Sequence, residues 1–247
     1  MKKVLVIGST VADIIIRLDK IPTTGGDVNV HWQKMSMGGC AFNVSQAIAY
    51  FDVPYLLFTP TGTGLYADYI RGELSRMNVT RADLHPDEPN GCCYCLVEDG
   101  GERTFICEHG AEYRFKKEWC DALNPDEFDC AYICGLEMEE ETGDNVISFL
   151  RESKIPVYFA PGPRINELEK GKMGRILALK PILHVNETEA LSFTGCNTLR
   201  EAAENLMKLT ENTVVITNGE KGSCCLCAED GKWYEEPAFK VDVVDTI

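Results

Sequence analysis

The chain has 247 residues, with 24 Lys and Arg against 39 Asp and Glu, a formal net charge of -15, and 45% hydrophobic and 26% charged side chains. That length buries a large core, and the composition is that of an ordinary globular protein. The acidic balance argues against a nucleic-acid partner, which demands clustered Lys and Arg. It leaves room for a nucleotide held by helix-end amides and a metal ion.

The opening Met1-Lys2-Lys3-Val4-Leu5-Val6-Ile7-Gly8 has too short an apolar run for a signal peptide and no small-residue cleavage site. No apolar run reaches membrane-spanning length, so the expected address is cytoplasmic. Val4–Gly8 has the pattern of a buried strand, and Asp13 follows it. A carboxylate there suits two adjacent hydroxyls. Residues 14–18 and 27–32 flank Pro22-Thr23-Thr24-Gly25-Gly26 as a hairpin. Next comes Met37-Gly38-Gly39-Cys40-Ala41-Phe42-Asn43, in which two glycines precede a helix with Ala41, Val44, Ile48 and Phe51 on one face. Glycines let a ligand approach the backbone, and Asn43 both donates and accepts, which suits a polyhydroxyl compound. A plain glycine turn with a capping Asn fits equally well.

After a strand at 55–59, Gly62-Thr63-Gly64-Leu65-Tyr66-Ala67 matches G-x-G-x-x-A, with Asp83 at a plausible ribose distance. Pro60 and the motif's place outside the first βα unit weigh against a nicotinamide site. Cys92 to Glu108 folds back at Asp99-Gly100-Gly101 as a second hairpin. Both Cys92-Cys93-Tyr94-Cys95 and Cys224-Cys225-Leu226-Cys227 contain C-x-x-C. A strand points the two ends of that spacing to opposite faces, so packing is expected rather than zinc. The four histidines form no ligand pair, and no Walker A sequence is present.

Buried-type strands are expected at 130–134, 157–160, 182–185 and 214–217. Helical faces are marked by Val146, Phe149 and Leu150, and by Ala202, Leu206 and Leu209. Asn186 and Glu189 stand where a strand passes to a helix, at a spacing that suits either a hydrated magnesium or a capping box. Thr217-Asn218-Gly219-Glu220-Lys221-Gly222 closes a strand with a glycine-rich turn. The run from Val241 to Ile247 has the pattern of a further strand. Alternating strands and helices imply an α/β fold of three layers, a mainly parallel central sheet between helices, with the two hairpins forming a small β-sheet at about 14–34 and 91–110.

Gly38-Gly39 with Asn43, Asn186 with Glu189, Thr217 to Gly222 and Asp245-Thr246 resemble, in order and context, the ribokinase-like (PfkB) carbohydrate kinases over essentially the whole chain. The resemblance implies a sugar site built from Asp13, Gly38, Gly39 and Asn43, with Glu137 as a looser match. It implies a β lid made of the two hairpins, closing through Gly25 and Gly26. The amphipathic pattern of that lid predicts a homodimer with lids packed together. ATP would lie against Thr217, Gly219 and Gly222, with Mg2+ and its waters organised by Asn186 and Glu189. Asp245 and the Ile247 carbonyl would begin a K+ loop. Arg103 and Arg164 are candidates for meeting a carboxylate, which keeps sugar acids beside ribose and fructose. The family's glycine-alanine-glycine-aspartate segment, with its anion hole and base, would follow Ile247. The chain as given is therefore expected to turn over poorly. A non-catalytic sugar-binding protein and a nicotinamide enzyme using Gly62 and Gly64 are the alternatives. Cys40 departs from the family's usual residue at that position.

Overall fold

The computed structural model describes residues 2–241. In chain order, β1 (Lys3–Ile7) is followed by β2 (Val11–Leu18) and β3 (Val30–Gly38), and Gly39 then leads into α1 (Cys40–Tyr50). Next come β4 (Tyr55–Phe58), α2 (Gly64–Arg76), and the hairpin of β5 (Cys92–Val97) and β6 (Arg103–Glu108). A short α3 (Lys117–Asp121) precedes β7 (Phe128–Cys134), α4 (Gly135–Glu139) and α5 (Gly143–Ser153). The remainder is β8 (Val157–Ala160), α6 (Lys170–Leu177), β9 (Ile182–Asn186), α7 (Glu187–Thr194), α8 (Leu199–Thr210), β10 (Val214–Thr217), β11 (Ser223–Leu226) and β12 (Trp233–Glu236).

The larger sheet runs β12-β11-β10-β9-β8-β7-β1-β4, parallel from β10 to β4 and antiparallel across β11 and β12. Strand alternation sends Leu5, Ile7, Ala131, Ile133, Phe159, Leu183, Val185 and Ile216 into one fully covered core with α5 and α8. The α8 pattern explains that cover. Thr198 caps it by accepting from the Glu201 N–H, and Ala202, Ala203 and Leu206 face the sheet. Leu209, expected on the same face, is exposed.

On the opposite face α1 and α2 cover β1 and β4, packing Ala41, Phe42, Ile70 and Leu74 on Val6 and Leu57. Phe51 lies past the end of α1 and is exposed, because the helix closes at Tyr50. Beside α1, the side chains of Val4, Cys130, Tyr132, Tyr158, Ile182 and Val215 line an apolar groove of about 430 Å³.

The smaller sheet runs β3-β2-β5-β6, with β2 and β5 parallel at its centre. It reaches further toward the body than the expected 14–34, because β2 begins at Val11 and β3 ends at Gly38. One face rests on α2, where Tyr69 donates to the Met35 carbonyl at 3.3 Å and the Tyr66 and Tyr94 hydroxyls meet at 3.4 Å. Cys92 and Cys95 are buried in two different clusters, as opposite faces of a strand require. Among the described residues no helix is long and apolar enough to cross a membrane.

Candidate active site

The carboxyl ends of the parallel strands share one crest, the usual place for ligands in open α/β sheets. At its β1 end the chain turns through Gly8, Ser9 and Thr10 into β2, where register places Ser36, Asp13, Cys93 and Cys107 in a single row across β3, β2, β5 and β6. The Asp13 carboxylate lies directly over Gly38, where any Cβ would collide with its Oδ2. Gly39, at φ 94°, makes the bend into α1, and a Cβ there would stand 2.5 Å from the Ser9 carbonyl oxygen. Both glycines are therefore demanded by close approach. Asn43 is exposed in the first turn of α1, its N–H bonded to the Gly39 carbonyl at 3.0 Å. The N–H groups before it have no intrahelical acceptor and face outward from the same bend.

Burial pushes the Asp13 carboxyl up to about 6. Among the described residues no hydrogen bond or ion pair reaches it, so an incoming hydroxyl meets an acceptor already stripped of part of its water. Glu137 is also brought to this corner, but fully buried. Its Oε1 accepts from the Ser9 N–H and hydroxyl, each at 2.7 Å, and its Oε2 from the Cys134 thiol at 2.5 Å. It anchors the β1 turn from below and presents no exposed oxygen.

Arg164 follows β8 in a short turn, and its Nε donates to Glu139 Oε1 at 2.8 Å, a partner that raises its already high pKa. Arg103 is not brought to Asp13. It shares that face of the small sheet but pairs with Val97, four residues along β6 from Cys107, about 13 Å at the rise of a strand. Gly25 and Gly26 lie in the loop joining β2 to β3, at the sheet's far end. The joint with the body is formed instead by Gly38-Gly39 and by Gly91 with Gly110.

That second joint was not visible in the sequence. Gly91 and Gly110 press together so closely that a Cβ on either would collide with the other's backbone. The buried Glu112 clasps both, accepting from the Gly91 and Gly110 N–H groups at 3.0 Å each. The only local signal is a glycine at each root of the second hairpin.

At the other end of the crest, Asn186 and Thr217 are register partners on β9 and β10. Asn186 caps α7 rather than sharing a helical face with Glu189, and together they close a full capping box. Glu189 accepts from the Asn186 N–H (3.0 Å) and Nδ2 (2.7 Å), while its own N–H donates to Asn186 Oδ1 at 2.8 Å. Gly219 is open to solvent space at φ 51°, whereas Gly222, at φ 101°, would collide with the Glu236 carbonyl if it bore a side chain. This turn edges a cavity of about 470 Å³ reached by Asn218, Lys221, Ser223, Glu235 and Pro237. Four strand spacings separate β10 from β1, about 19 Å. Asp245 and Ile247, and any anion hole after them, fall outside the described residues.

The profile of the pfkB family carbohydrate kinases matches residues 1–247. The chain belongs to the pfkB family. An uncharacterised sugar kinase of Escherichia coli K12, YegV, is 28% identical over 258 residues, covering 100% of this chain and 78% of that protein. The deoxyribokinase of Salmonella typhi is 27% identical over 251 residues, covering 98% of this chain and 80% of its own. Among solved structures, ribokinase from Giardia lamblia superposes with a TM-score of 0.85 at 19% identity, covering 100% of this chain and 79% of that one.

The packing closes the first glycine of the G-x-G-x-x-A motif. The Glu88 carbonyl occupies the space above Gly62, whose N–H is taken by Asn90 Oδ1 at 2.6 Å. Asp83 instead meets His85 Nε2 at 2.6 Å. The first glycine of the motif is thus closed to a phosphate, while Gly64 is open. His31, one of the four scattered histidines, lies 2.8 Å from Asp19 and 3.8 Å from Asp99 at the exposed far end of the small sheet.

Proposed function

We propose that the chain is an ATP-dependent kinase of a neutral sugar of the ribose or deoxyribose type, acting on an exposed hydroxyl. The observation that carries this reading is the Asp13 carboxylate poised over Gly38-Gly39 at the start of α1, with Asn43 in the first turn. A sugar hydroxyl fits a carboxylate that has no hydrogen-bond or ion-pair partner among the described residues, and the Asn43 amide supplies a donor and an acceptor for a second. The engagement of Arg164 by Glu139 and the distance of Arg103 favour a neutral sugar over a sugar acid. A relative that is a deoxyribokinase supports the same choice.

In this reading the smaller sheet is a lid over the sugar, and the nucleotide lies along the crest from the Thr217–Gly222 turn toward the β1 corner. A sugar oxygen attacks the γ-phosphorus in line as the bond to ADP breaks, and alignment supplies much of the rate. The Gly219 backbone, open on one side, lets the nucleotide approach. Glu189 suits magnesium only through water, since both of its oxygens already hold Asn186; magnesium prefers to keep several waters. When bound, the ion would offset phosphate charge, with Asn186 and Glu189 fixing its hydration. The exposed apolar side chains of the lid, Val30, Trp32, Phe105 and Ile106, support a homodimer formed through it.

A thermal-shift screen of deoxyribose, ribose, fructose and a 2-keto-3-deoxy sugar acid, each with ATP and magnesium, tests the assignment. A neutral pentose at a hundred times its Kd should add about 2.7 kcal/mol of stability. Stabilisation by the sugar acid alone, or by NAD(H) in place of ATP, would overturn it. ADP release on adding the stabilising sugar then measures transfer directly.

A further inference from the structure

Beside Asp13 in the same row stand two thiols that the phosphoryl-transfer reading does not use. Cys93 and Cys107 are directly opposed on antiparallel β5 and β6, and the Cys107 thiol donates to Cys93 Sγ at 3.4 Å. Opposed antiparallel residues have Cα atoms about 4.5 or 5.5 Å apart, both within the roughly 4.4–6.8 Å that a disulfide accepts. The backbone therefore needs no rearrangement to join them. Access is asymmetric in a useful way. Cys107 is exposed on the edge strand, while Cys93 is half-buried behind it. By contrast Cys134, near the same corner, is fully buried and bonded to Glu137.

We propose that Cys93 and Cys107 form a reversible disulfide that lowers sugar affinity at the neighbouring Asp13. The oxidant class is a low-molecular-weight disulfide. The Cys107 thiolate attacks one of its sulfurs, forming a mixed disulfide and expelling the first thiolate. Cys93 then attacks the Cys107 sulfur and expels the second. The reagent is reduced to two thiols, which take up the two protons the cysteines gave. Burial and the hydrogen bond shared with Cys107 keep the Cys93 thiol protonated well above its ordinary range, which leaves the exposed Cys107 as the first attacker and Cys93 to the intramolecular step, where proximity offsets a small thiolate fraction. In a reducing compartment the pair stays as thiols, so the bond reports a change in redox poise. Turning the Cys93 Sγ toward β6 to close the bond moves it away from Asp13, its register neighbour on the same face, and so reshapes the wall beside the carboxylate. The effect on sugar, but not the bond itself, rests on the assignment of the sugar site.

The test equilibrates the chain with oxidised and reduced glutathione, then digests it with trypsin without reduction. The expected product links peptide 82–103 to peptide 104–114 and disappears on adding dithiothreitol. C93S should instead carry a persistent glutathione adduct on Cys107, and C107S should yield no linked peptide. Linkage that survives in C93S, through Cys92 or Cys95, or no linkage under oxidising conditions, overturns the proposal. The sugar-dependent thermal shift of the oxidised chain should require about tenfold more sugar, and C93S should need the reduced chain's concentration throughout. Equal affinity of the two forms would remove the regulatory claim. If neither form binds a sugar while the link forms, the sugar-site assignment fails and the disulfide stands.

Discussion

Asp13 is held partly buried over Gly38, and its carboxyl titrates near 6 in the folded chain against an ordinary 3.8. A raised folded value means that the folded state retains a proton the unfolded chain releases. That stabilisation is complete below about pH 4 and lost as pH climbs through 6. At neutral pH the ionised group costs on the order of 1 kcal/mol, allowing for its partial exposure to solvent. Asp13→Asn should therefore unfold a few degrees higher than the parent at pH 7.5 and at the same temperature at pH 4. It should also lose the sugar-dependent shift. An equal gain at both pH values would show that the carboxylate is not strained by burial. Asp13, Gly38 and Gly39 were legible because a glycine pair and an acid following a strand form local patterns. Glu137 was placed only loosely and its inward-facing role was not foreseen, since its partner Ser9 lies 128 residues away.

Among the elements, the hairpin of β5 and β6 hangs on Glu112. Burial raises the Glu112 pKa, opposed by the N–H groups that it accepts from at Gly110 and Gly91. Glu112→Ala leaves two buried donors without an acceptor, a loss of about 2–4 kcal/mol in urea unfolding. Glu112→Gln keeps one carbonyl acceptor and should fall between the two. Amide exchange in β5 and β6 should accelerate more than in β7 to β10. Uniform acceleration across both sheets would deny Glu112 a local role. The strands themselves were readable, with β8 and β10 matching their apolar runs residue for residue. Helix faces drifted at their ends, where Phe51 and Leu209 fit the period but lie beyond the reach of the sheet.

For the molecule as a whole, pairing through the lid predicts a sedimenting species near twice 27.5 kDa. Ile106→Asp should shift it to one chain without lowering the melting temperature by more than a degree or two, because Ile106 is already exposed. A wild-type chain that sediments as a monomer at micromolar concentration would sink the dimer. The mainly parallel larger sheet and the separate small sheet followed from alternation and two hairpin signals, whereas the order of strands in either sheet was set by long-range pairing and was not readable. The apolar groove was not readable either, because a strand apolar on both faces looks the same whether one face or both are covered.

The smaller sheet joins the body at its root, where α2 supports the near part of one face, and its far end with Asp19, His31 and Asp99 is exposed. Its strand β2 is eight residues long, about 26 Å from root to tip. It is mechanically a cantilever, with its fulcrum where Asp13 crosses Gly38 and Glu112 grips Gly91 and Gly110. A tilt of about 10° at that fulcrum carries the tip by roughly 4–5 Å over such a length. Displacements the size of a single bond at the root are thereby geared up into travel at the rim that holds Asp19, His31 and Asp99.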